Sequence, residues 1–363
     1  MRNNLLVSSF LFIFGCITQS VLAQTSAPKY SNEFLSIGVG ARALAMSGAQ
    51  TATVNDVTAG YWNPAGLLSA NSADRGPSLA LMHAEYFAGI AKYDYAAYSQ
   101  AVDSLSAIGI SFIRFGVDDI PDTRFLFDAN GNLNYDNVRF FSAADYGVYL
   151  SYARQIPKLK GLKVGGSAKV VYRSVGEFAN AWGFGLDAGA QYQLKGWQFG
   201  VMLRDITTTF NAWSFNSEML EDVYVQTGNA LPESSLEITL PRAVLGVSRN
   251  FKLTDALSAT AAIDLISTFD GKRNTLIRSN LVSVDPVAGI EFGYDNTVWL
   301  RLGAGQFQQV QDFDDSKSYS FQPTAGIGAK LGNVFLDYAF VDVGNVAEAP
   351  SSHVFSLRID FIK

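Results

Sequence analysis

The links between the predicted strands of this chain alternate in length. From Ser78 onward, segments of alternating apolar and polar residues are separated by turn residues, a pattern typical of strands. The fourteen predicted strands are 78–87, 90–102, 104–117, 141–155, 162–176, 181–194, 197–210, 238–252, 256–268, 286–295, 297–308, 319–331, 333–343 and 352–362. Links after even-numbered strands are short. Long links follow odd-numbered strands at 118–140, 211–237, 269–285, 309–318 and 344–351, with short exceptions at 88–89 and 177–180. A membrane barrel with turns at one end and loops at the other requires this parity, whereas a soluble sandwich does not.

The final strand carries a clear two-residue period. One side has the large apolar residues Phe355, Leu357, Ile359 and Phe361, and the other has Ser356, Arg358 and Asp360. Successive side chains of a strand point to opposite faces, so the pattern predicts lipid on one side and a wet lumen on the other. An even number of strands lets this last strand pair with the first and leave no exposed edge.

Composition favours the same class. Only 17 % of the 363 residues are charged, against about 25 % in soluble domains, and aromatics reach 13 %. After the N-terminus, no stretch approaches the roughly 18 consecutive apolar residues of a membrane helix. The predicted fold is therefore all-β, a transmembrane antiparallel β-barrel of about 14 strands, over residues 78–363.

The first 23 residues have the form of an export signal. Arg2 precedes an apolar run over 5–14, and Val21-Leu22-Ala23 is a small-residue cleavage site. A rival interpretation is lipoprotein processing at Cys16, although Phe14 is larger than the residue usual there. Cleavage after Ala23 leaves no cysteine in the mature chain, which excludes cysteine nucleophiles and disulfides. With the strand pattern, this predicts an integral protein in contact with the lipid of the outer membrane of a Gram-negative bacterium.

No catalytic constellation is visible in the sequence. The only two histidines, His83 and His353, fall on the first and last predicted strands, where an incidental pairing is the simpler interpretation than a metal or proton site. There is no G-x-S-x-G motif, and the net charge of −6 argues against nucleic-acid binding. We therefore predict a non-enzymatic protein without a cofactor.

One loop has weak calcium-binding character. Asp128, Asn130 and Asn132 alternate along the chain, and oxygen ligands at such spacing can hold calcium. The sixth and twelfth positions of such a loop are Leu133 and Arg139 rather than the required glycine and glutamate. Ordinary loop composition is the alternative, and we predict no metal site.

Glycines within the strands have two interpretations. Gly109 and Gly116 lie in the third predicted strand, where glycine can mark a bulge, a bend or the close approach of another backbone. The simpler interpretation is the curvature of a barrel. The functional one is a kink in the wall through which a molecule leaves sideways.

The segment 24–77 differs from the rest because it is rich in alanine, glycine and small polar residues. Within it, "FLSIGVGARALAMSGAQTATVNDVTAGYWNPAGL" (34–67) resembles the PorV/PorQ family of outer-membrane proteins of Bacteroidetes-type bacteria. The residues that carry the resemblance are Gly38, Gly40, Ala41, Arg42, Ala43, Asp56, Trp62, Asn63, Pro64, Ala65, Gly66 and Leu67. That family is related in fold to the FadL fatty-acid transporters. The resemblance implies a FadL-like barrel in which 24–77 folds inside as a plug.

The plug motif has a physical interpretation as well. Pro64 disfavours helix at Asn63, and the side chain of Asn63 can bind backbone groups two residues on. We therefore expect the N-P-A-G motif to fix the backbone where the chain passes from the plug to the barrel, with Trp62 packed against the inner wall.

The resemblance also implies two possible roles. PorV-like proteins act in the type IX secretion system, binding the C-terminal sorting domain of secreted cargo or standing beside a translocon. The alternative is FadL-like transport of small hydrophobic molecules. For the first role, we predict contacts through aromatic residues of the long loops, namely Phe125, Phe127, Tyr135, Trp213, Phe215 and Tyr224. These aromatics could equally cap the barrel and form its membrane girdle.

Overall fold

The structure is a computed structural model that describes residues 31–70, 75–127, 130–232, 234–311, 316–341 and 352–362. The predicted signal segment 1–23 and residues 24–30 lie outside the described residues, as does Asp128. None of the helices in the described ranges is long and apolar enough to cross a membrane.

All strands belong to one antiparallel sheet that closes on itself. The strands are β1 (Arg75–Tyr86), β2 (Ala91–Ala101), β3 (Ser106–Asp122), β4 (Arg139–Gln155), β5 (Leu162–Val175), β6 (Ala179–Leu194), β7 (Trp197–Arg204), β8 (Thr209–Phe215), β9 (Ser235–Thr239), β10 (Arg242–Lys252), β11 (Leu257–Thr268), β12 (Ile277–Arg278), β13 (Ser283–Tyr294), β14 (Val298–Gln311), β15 (Lys317–Leu331), β16 (Val334–Val341) and β17 (Ser352–Ile362). β17 pairs with β1, with Leu357 opposite Leu81, and this pairing closes the barrel.

The wall has fourteen strands, as the sequence predicts, because two of them are built from two segments each. β7 and β8 together form one wall strand, because both pair with β6. β9 and β10 together form the next wall strand, in which β9 pairs with β8 and β10 pairs with β7. The two-residue β12 is an addition to β13 beyond the wall.

The break between β7 and β8 is a local turn. Asp205 and Thr208 adopt positive φ values of 56° and 58°, and the N–H of Ile206 donates to the carbonyl of Leu186 on β6. On the next strand the break falls at Pro241, which has no N–H to give to a ladder. These features interrupt two neighbouring strands of the wall at the same height.

Side chains alternate between the two faces of the wall. On β17, Phe355 is 58 % exposed and Phe361 is 44 % exposed on the outer face, while Arg358 reaches a residue inside the barrel. This confirms the predicted orientation of the closing strand. The outer face is thus apolar, as contact with lipid requires.

The loops are shorter than the sequence predicts. The link predicted at 118–140 is shorter in the structure, because β3 and β4 stay paired as far as Asp122 and Arg139. The link predicted at 211–237 contains most of β8, part of β9 and a helix, Ser217–Thr227. That helix starts where the side chain of Asn216 accepts from the N–H of Met219.

Residues 31–70 lie inside the barrel and are called the plug below. They form short turns of helix rather than long elements. These are Glu33–Ser36, Ala41–Leu44, Ala59–Trp62, Pro64–Gly66 and Leu67–Ala70. Phe34, Leu35 and Tyr61 of the plug join Tyr93 and Tyr149 of the wall in one buried apolar cluster.

Candidate functional site

The plug rests against a ring of glycines on the inner wall, which we call the glycine collar. Its members come from seven wall strands, and several stand opposite each other in the ladder: Gly165, Gly189, Gly200, Gly246, Gly289, Gly303 and Gly326. Each of them faces plug atoms. The collar is the reason why the plug backbone can run so close to the wall.

The distances show how close this approach is. A Cβ atom added at Gly200 would lie 2.3 Å from the carbonyl oxygen of Thr51, and one at Gly165 would lie 2.6 Å from the backbone nitrogen of Ala65. At Gly326 the added atom would be 2.5 Å from the Cβ of Ala45. Real Cβ atoms do not approach other atoms so closely, so any side chain at these positions must displace the plug or the wall.

Arg42 connects the plug to the wall through buried charges. Its Nε lies 3.0 Å from a carboxylate oxygen of Glu291 on β13, and its Nη2 donates to the other oxygen at 3.1 Å. Its Nη1 donates to Asn55 at 2.8 Å and lies 3.6 Å from Asp56. Burial alone would lower the pKa of Arg42, but Glu291 and Asp56 more than offset this and raise it. The guanidinium is therefore held as a cation between wall and plug.

The wall continues the network on both sides of Arg42. Arg301 on β14 donates to Glu291 at 2.7 Å and to Asp337 on β16 at 2.6 Å. Arg358 on β17 donates to Asp56 of the plug at 3.2 Å. Buried carboxylates and guanidinium groups thus alternate from β13 to the closing strand, and each charge has a partner of opposite sign.

Asp56 is the acidic member that belongs to the plug. Burial would raise the pKa of its carboxyl, but Arg358, Arg42 and two hydrogen bonds from Thr58 hold that pKa below its ordinary value. Asp56 therefore stays ionised. Two of the residues singled out in the sequence, Arg42 and Asp56, are brought together in one network.

The plug also bridges the two strands that close the barrel. The N–H of Gly40 donates to the sulfur of Met82 on β1 at 3.0 Å, and the N–H of Ala41 donates to the hydroxyl of Ser356 on β17 at 2.7 Å. Met82 and Ser356 stand opposite each other in the β1–β17 ladder. This junction is called the closing seam below.

Asn63 joins the plug to the opposite side of the wall. Its side-chain amide donates to the carbonyls of Thr51 at 2.9 Å, Ala190 on β6 at 3.1 Å and Val201 on β7 at 3.3 Å. Its oxygen accepts from the N–H of Ala65. Asn63 is extended, as the following proline requires, and fully buried.

Trp62 packs mostly within the plug, and the guanidinium of Arg204 on β7 lies 5.7 Å from the centre of its ring. Its ring lies against Gly38 and Gly48 of the plug itself, and its Nε1 donates to the carbonyl of Val39. Its neighbour Tyr61 meets the wall instead, 6.1 Å from the ring of Tyr149. The two residues are adjacent in a short helix, so their side chains point in directions about 100° apart.

The rest of the N-P-A-G piece is tightly enclosed. Pro64, Ala65 and Gly66 are buried, and a Cβ added at Gly66 would lie 2.5 Å from the carbonyl oxygen of Val54. Ala65 borders the collar at Gly165. The motif is therefore a packing unit between plug and wall.

The ladder is unbroken at the two glycines proposed as a wall kink. Gly109 pairs with Ser99 on β2 and with Ser151 on β4, and Gly116 pairs in the same regular way. The register of β3 shifts only beyond them, between Val117 and Ile120. The break between β7 and β8 is the larger irregularity in the described wall.

A buried lysine sits next to that break. Lys169 lies 2.8 Å from Asp187 and 2.5 Å from Asp205, and its side chain is only 3 % exposed. The backbone N–H of Asp205 also donates to Asp187. Sequence reasoning missed this site, although the inward alternation of the strand around Lys169 gave a signal for it.

The predicted loop contacts fall into two groups. Phe125, Phe127 and Tyr135 are 46 %, 63 % and 73 % exposed. Trp213 and Phe215 lie within β8 rather than in a loop, because the hairpin of β8 and β9 extends the wall. Their rings stack on each other, and the Nε1 of Trp213 donates to Glu237 on β9 at 2.7 Å.

The remaining candidates show no assembled site. Tyr224 is part of the helix Ser217–Thr227, and Asn130 and Asn132 lie in the loop before β4. Across the ranges that the structure describes, no three His, Cys, Asp or Glu side chains gather in a way that could hold a metal ion.

The spaces beside the plug are small. The cavity next to Arg42 and Asp56 measures about 30 Å³, and the one next to Lys163 and Gln191 measures about 50 Å³. These volumes correspond to about one or two water molecules, since water occupies roughly 30 Å³ in the liquid. These two cavities beside the plug are therefore too small for molecules much larger than water.

The fold is similar to that of solved outer-membrane barrels. The toluene transporter TbuX of Ralstonia pickettii matches with a TM-score of 0.54 and 16 % identity, over 89 % of this chain and 98 % of that one. The toluene transporter TodX of Pseudomonas putida gives 0.54 and 14 %, over 90 % and 99 %. A FadL homologue of Pseudomonas aeruginosa gives 0.53 and 12 %, over 89 % and 98 %.

The likeness is one of structure. No family model matches the sequence, and no curated protein matches it. At these identities the comparison shows the fold alone, a closed antiparallel β-barrel similar to those of the solved transporters.

Proposed function

We propose that this protein carries small hydrophobic molecules across the outer membrane, with the plug as its gate. The likeness to the toluene transporters and to the FadL homologue spans nearly the whole length of both chains. This supports the FadL-like alternative of the sequence analysis better than the secretion role. The resemblance of residues 34–67 to the PorV/PorQ family has no counterpart among the family models.

The observation that carries the proposal is that the plug, a segment of the same chain, fills the barrel. A fourteen-strand barrel encloses a lumen, and here the lumen is filled by the chain's own N-terminal segment. The plug is held by glycine contacts, hydrogen bonds, ion pairs and a shared apolar cluster, all of them non-covalent contacts that can be broken and remade. Because the cavities beside the plug admit only water, a hydrophobic molecule passes only when the plug moves.

A cross-link between plug and wall tests this gate. The Cβ of Ser47 would lie 3.3 Å from a Cβ built at Gly305 on β14, near the separation of about 3.5–4.5 Å found in disulfides. The only native cysteine is Cys16, in the predicted signal segment. The double variant S47C/G305C therefore offers one specific disulfide.

We expect the oxidised double variant to lose uptake of labelled toluene into cells, and reductant to restore it. The single variants S47C and G305C serve as controls for the substitutions themselves. Equal uptake by the oxidised and reduced double variant would show that the plug is not the gate.

A second candidate function is the capture of secreted proteins at the outer loops. It is favoured by Phe125, Phe127 and Tyr135, whose rings are exposed beyond the strand ends. Large apolar groups exposed to water mark interaction sites. Together with the resemblance at 34–67, they fit the type IX secretion role, in which a cargo sorting domain or a translocon would be the partner.

The two functions separate in one comparison. The triple variant F125S/F127S/Y135S leaves the plug intact, so it should retain toluene uptake. If the loops bind cargo, secreted proteins that co-purify with the wild type from native membranes should be lost with this variant. Identical co-purification from both proteins would remove the second candidate.

A further inference from the structure

Two neighbouring turns at the short-turn end of the barrel carry positive charge. The turns 156–161 and 195–196 hold three exposed lysines, namely Lys158, Lys160 and Lys195. The turns lie next to each other, because the N–H of Gln193 at the end of β6 donates to the carbonyl of Gly161 at 3.1 Å. In an outer-membrane barrel the short turns lie on the periplasmic side, so these lysines stand at the surface of the periplasmic leaflet.

Arg249 lies next to the second of these turns, on the outer face of β10. Its guanidinium carbon is 4.9 Å from the ring centre of Trp197, its partner in the β7–β10 ladder, and 5.3 Å from the ring centre of Phe251. Both distances fall within the roughly 6 Å of a cation–π contact. Both rings are 41 % exposed on the face that meets lipid. The guanidinium is therefore held where the apolar outer wall ends and the turns begin.

These positive charges have no acidic partner. Across the residues that the structure describes, no carboxylate forms an ion pair with Arg249 or with the three turn lysines, and Asp255 of the adjoining turn is paired with Lys252 at 2.7 Å. Ring contacts occupy none of the five N–H donors of a guanidinium, so those of Arg249 remain available. At the loop end of the outer face, by contrast, Arg114 pairs with Asp94.

We propose that Arg249 and Lys195 bind the phosphate of one anionic phospholipid of the periplasmic leaflet, of the phosphatidylglycerol class. The acyl chains of this lipid lie on the apolar outer wall beside Trp197, and the N–H donors of Arg249 meet its phosphate. A planar guanidinium matches two phosphate oxygens at once, and the lysine adds a second positive charge.

The charges of the site select a lipid with net negative charge. Lysines and arginines at a membrane surface attract anionic lipids, and the two lysines of the turn 156–161 add to this attraction. Phosphatidylethanolamine carries an ammonium group as well as a phosphate. That ammonium would need a carboxylate, and Asp255 is already paired with Lys252. The site therefore favours phosphatidylglycerol over phosphatidylethanolamine.

The site is separate from the proposed gate. Arg249 and Trp197 point outward from β10 and β7, whereas Gly246 and Gly200 of the same strands face the plug. Lipid retention is measured on the purified protein and needs no transport. The proposal therefore stands or fails independently of the proposed function.

Native mass spectrometry of the full chain, purified in mild detergent, tests the proposal. The probes are palmitoyl-oleoyl phosphatidylglycerol and the phosphatidylethanolamine with the same chains. One basic residue near a membrane surface changes the affinity for an anionic lipid about fivefold. We expect one phosphatidylglycerol to be retained per chain, about fivefold more strongly than phosphatidylethanolamine. Equal retention of the two lipids would overturn the assigned headgroup.

Two variants that each remove one positive charge test the position of the site. R249Q removes the guanidinium, whereas K317Q removes a lysine at the start of β15, at the opposite end of the barrel. We expect R249Q to retain about fivefold less phosphatidylglycerol and K317Q to match wild type. Equal retention by both variants would show that net charge alone attracts the lipid and would overturn the site.

Two further variants keep every charge and test the aromatic support. Trp197 and Phe199 both point outward from β7, but Trp197 contacts the guanidinium of Arg249 and Phe199 stands opposite Val247. We expect W197L to lower phosphatidylglycerol retention about two- to fivefold and F199L to leave it unchanged. Equal retention by W197L and F199L would contradict the role of the ring. A heat-dependent gel shift, in which folded barrels migrate faster than melted ones, shows that each variant is assembled.

Discussion

Arg358 of the closing strand donates to Asp56 of the plug at 3.2 Å, although 302 positions separate the two residues in the sequence. Arg42 lies 3.6 Å from the same carboxylate. Asp56 is therefore an acidic group of the plug that two arginines share, as Arg242 and Arg273 share Glu33 at another point of the plug. Seating of the plug and completion of the barrel are linked through this carboxylate.

The first prediction concerns this carboxylate. D56N leaves Arg358 and Arg42 without that negative partner, and breaking a buried ion pair costs about 3–5 kcal/mol. We expect the temperature of the gel shift to fall clearly. E85Q is the control, because Glu85 forms only an exposed pair with His83, worth about 0–1 kcal/mol. An equal melting temperature for D56N and wild type would contradict the role of this contact.

The pKa of Asp56 predicts a pH dependence. Because its folded pKa lies below the ordinary value of about 3.9, its stabilising contribution is complete above that value. The contribution is lost only as the pH falls through the lower, folded pKa. We expect D56N and wild type to differ by a constant amount between about pH 5 and pH 8, and to converge at strongly acidic pH. Melting curves across this range measure the difference.

The glycine collar predicts a contrast between two neighbouring residues. G165A places a methyl group 2.6 Å from the backbone of Ala65, whereas G166A faces the outer side with its nearest atom at 3.3 Å. Overpacking costs about 1–3 kcal/mol, so G165A should melt lower and G166A should stay near wild type. Digestion of the N-terminal segment by an added protease would report the displaced plug. Equal behaviour of the two variants would refute the collar as a site of close contact.

The orientation of β17 predicts that a charged residue on its outer face destabilises the assembled barrel. I359R places a charge toward the bilayer, which costs about 2–4 kcal/mol near the midplane. I359V keeps the face apolar and is the control. The yield of assembled barrel in membranes measures the effect. Normal assembly and heat resistance of I359R would show that this face does not meet lipid.

The break between β7 and β8 predicts non-additive effects at Lys169. K169M leaves Asp187 and Asp205 buried without their cation, at a cost of about 3–5 kcal/mol. Adding D187N and D205N removes the unpaired charges, so the triple variant should melt higher than K169M alone. The melting temperatures of K169M, of D187N/D205N and of the triple variant test this prediction, because independent sites would give additive shifts in melting temperature.

The sequence carried most of the information about the wall. Alternation placed Phe355 outside and Arg358 inside, the alternating segments gave the number of strands, and the parity of the links indicated a barrel. The breaks at Asp205 and Pro241 escaped notice because they depend on local turns inside otherwise regular patterns. Loop lengths were overestimated because the ladder of β3 and β4 continues through residues without clear alternation.

The site was less predictable than the wall. Arg42 and Asp56 stood out by resemblance, but their partners Glu291 and Arg358 come from distant strands, and no local pattern pairs them. The alternation of neighbouring residues places the glycines of the collar on the inner face, but it does not show which backbone approaches them. The sequence predicted a wall contact for Trp62, but its contacts with Gly38, Gly48 and Val39 depend on how the plug folds back on itself, which no local pattern shows.

The contacts at the closing seam also constrain the order of events during biogenesis. Gly40 binds Met82 of β1, and Ala41 binds Ser356 of β17, the two strands that close the barrel. These bonds complete only when both strands are present, and the collar leaves no spare width for bulky residues to pass later. We therefore expect the N-terminal segment to enter the interior before the two ends of the sheet meet, so that the barrel is assembled around its own contents.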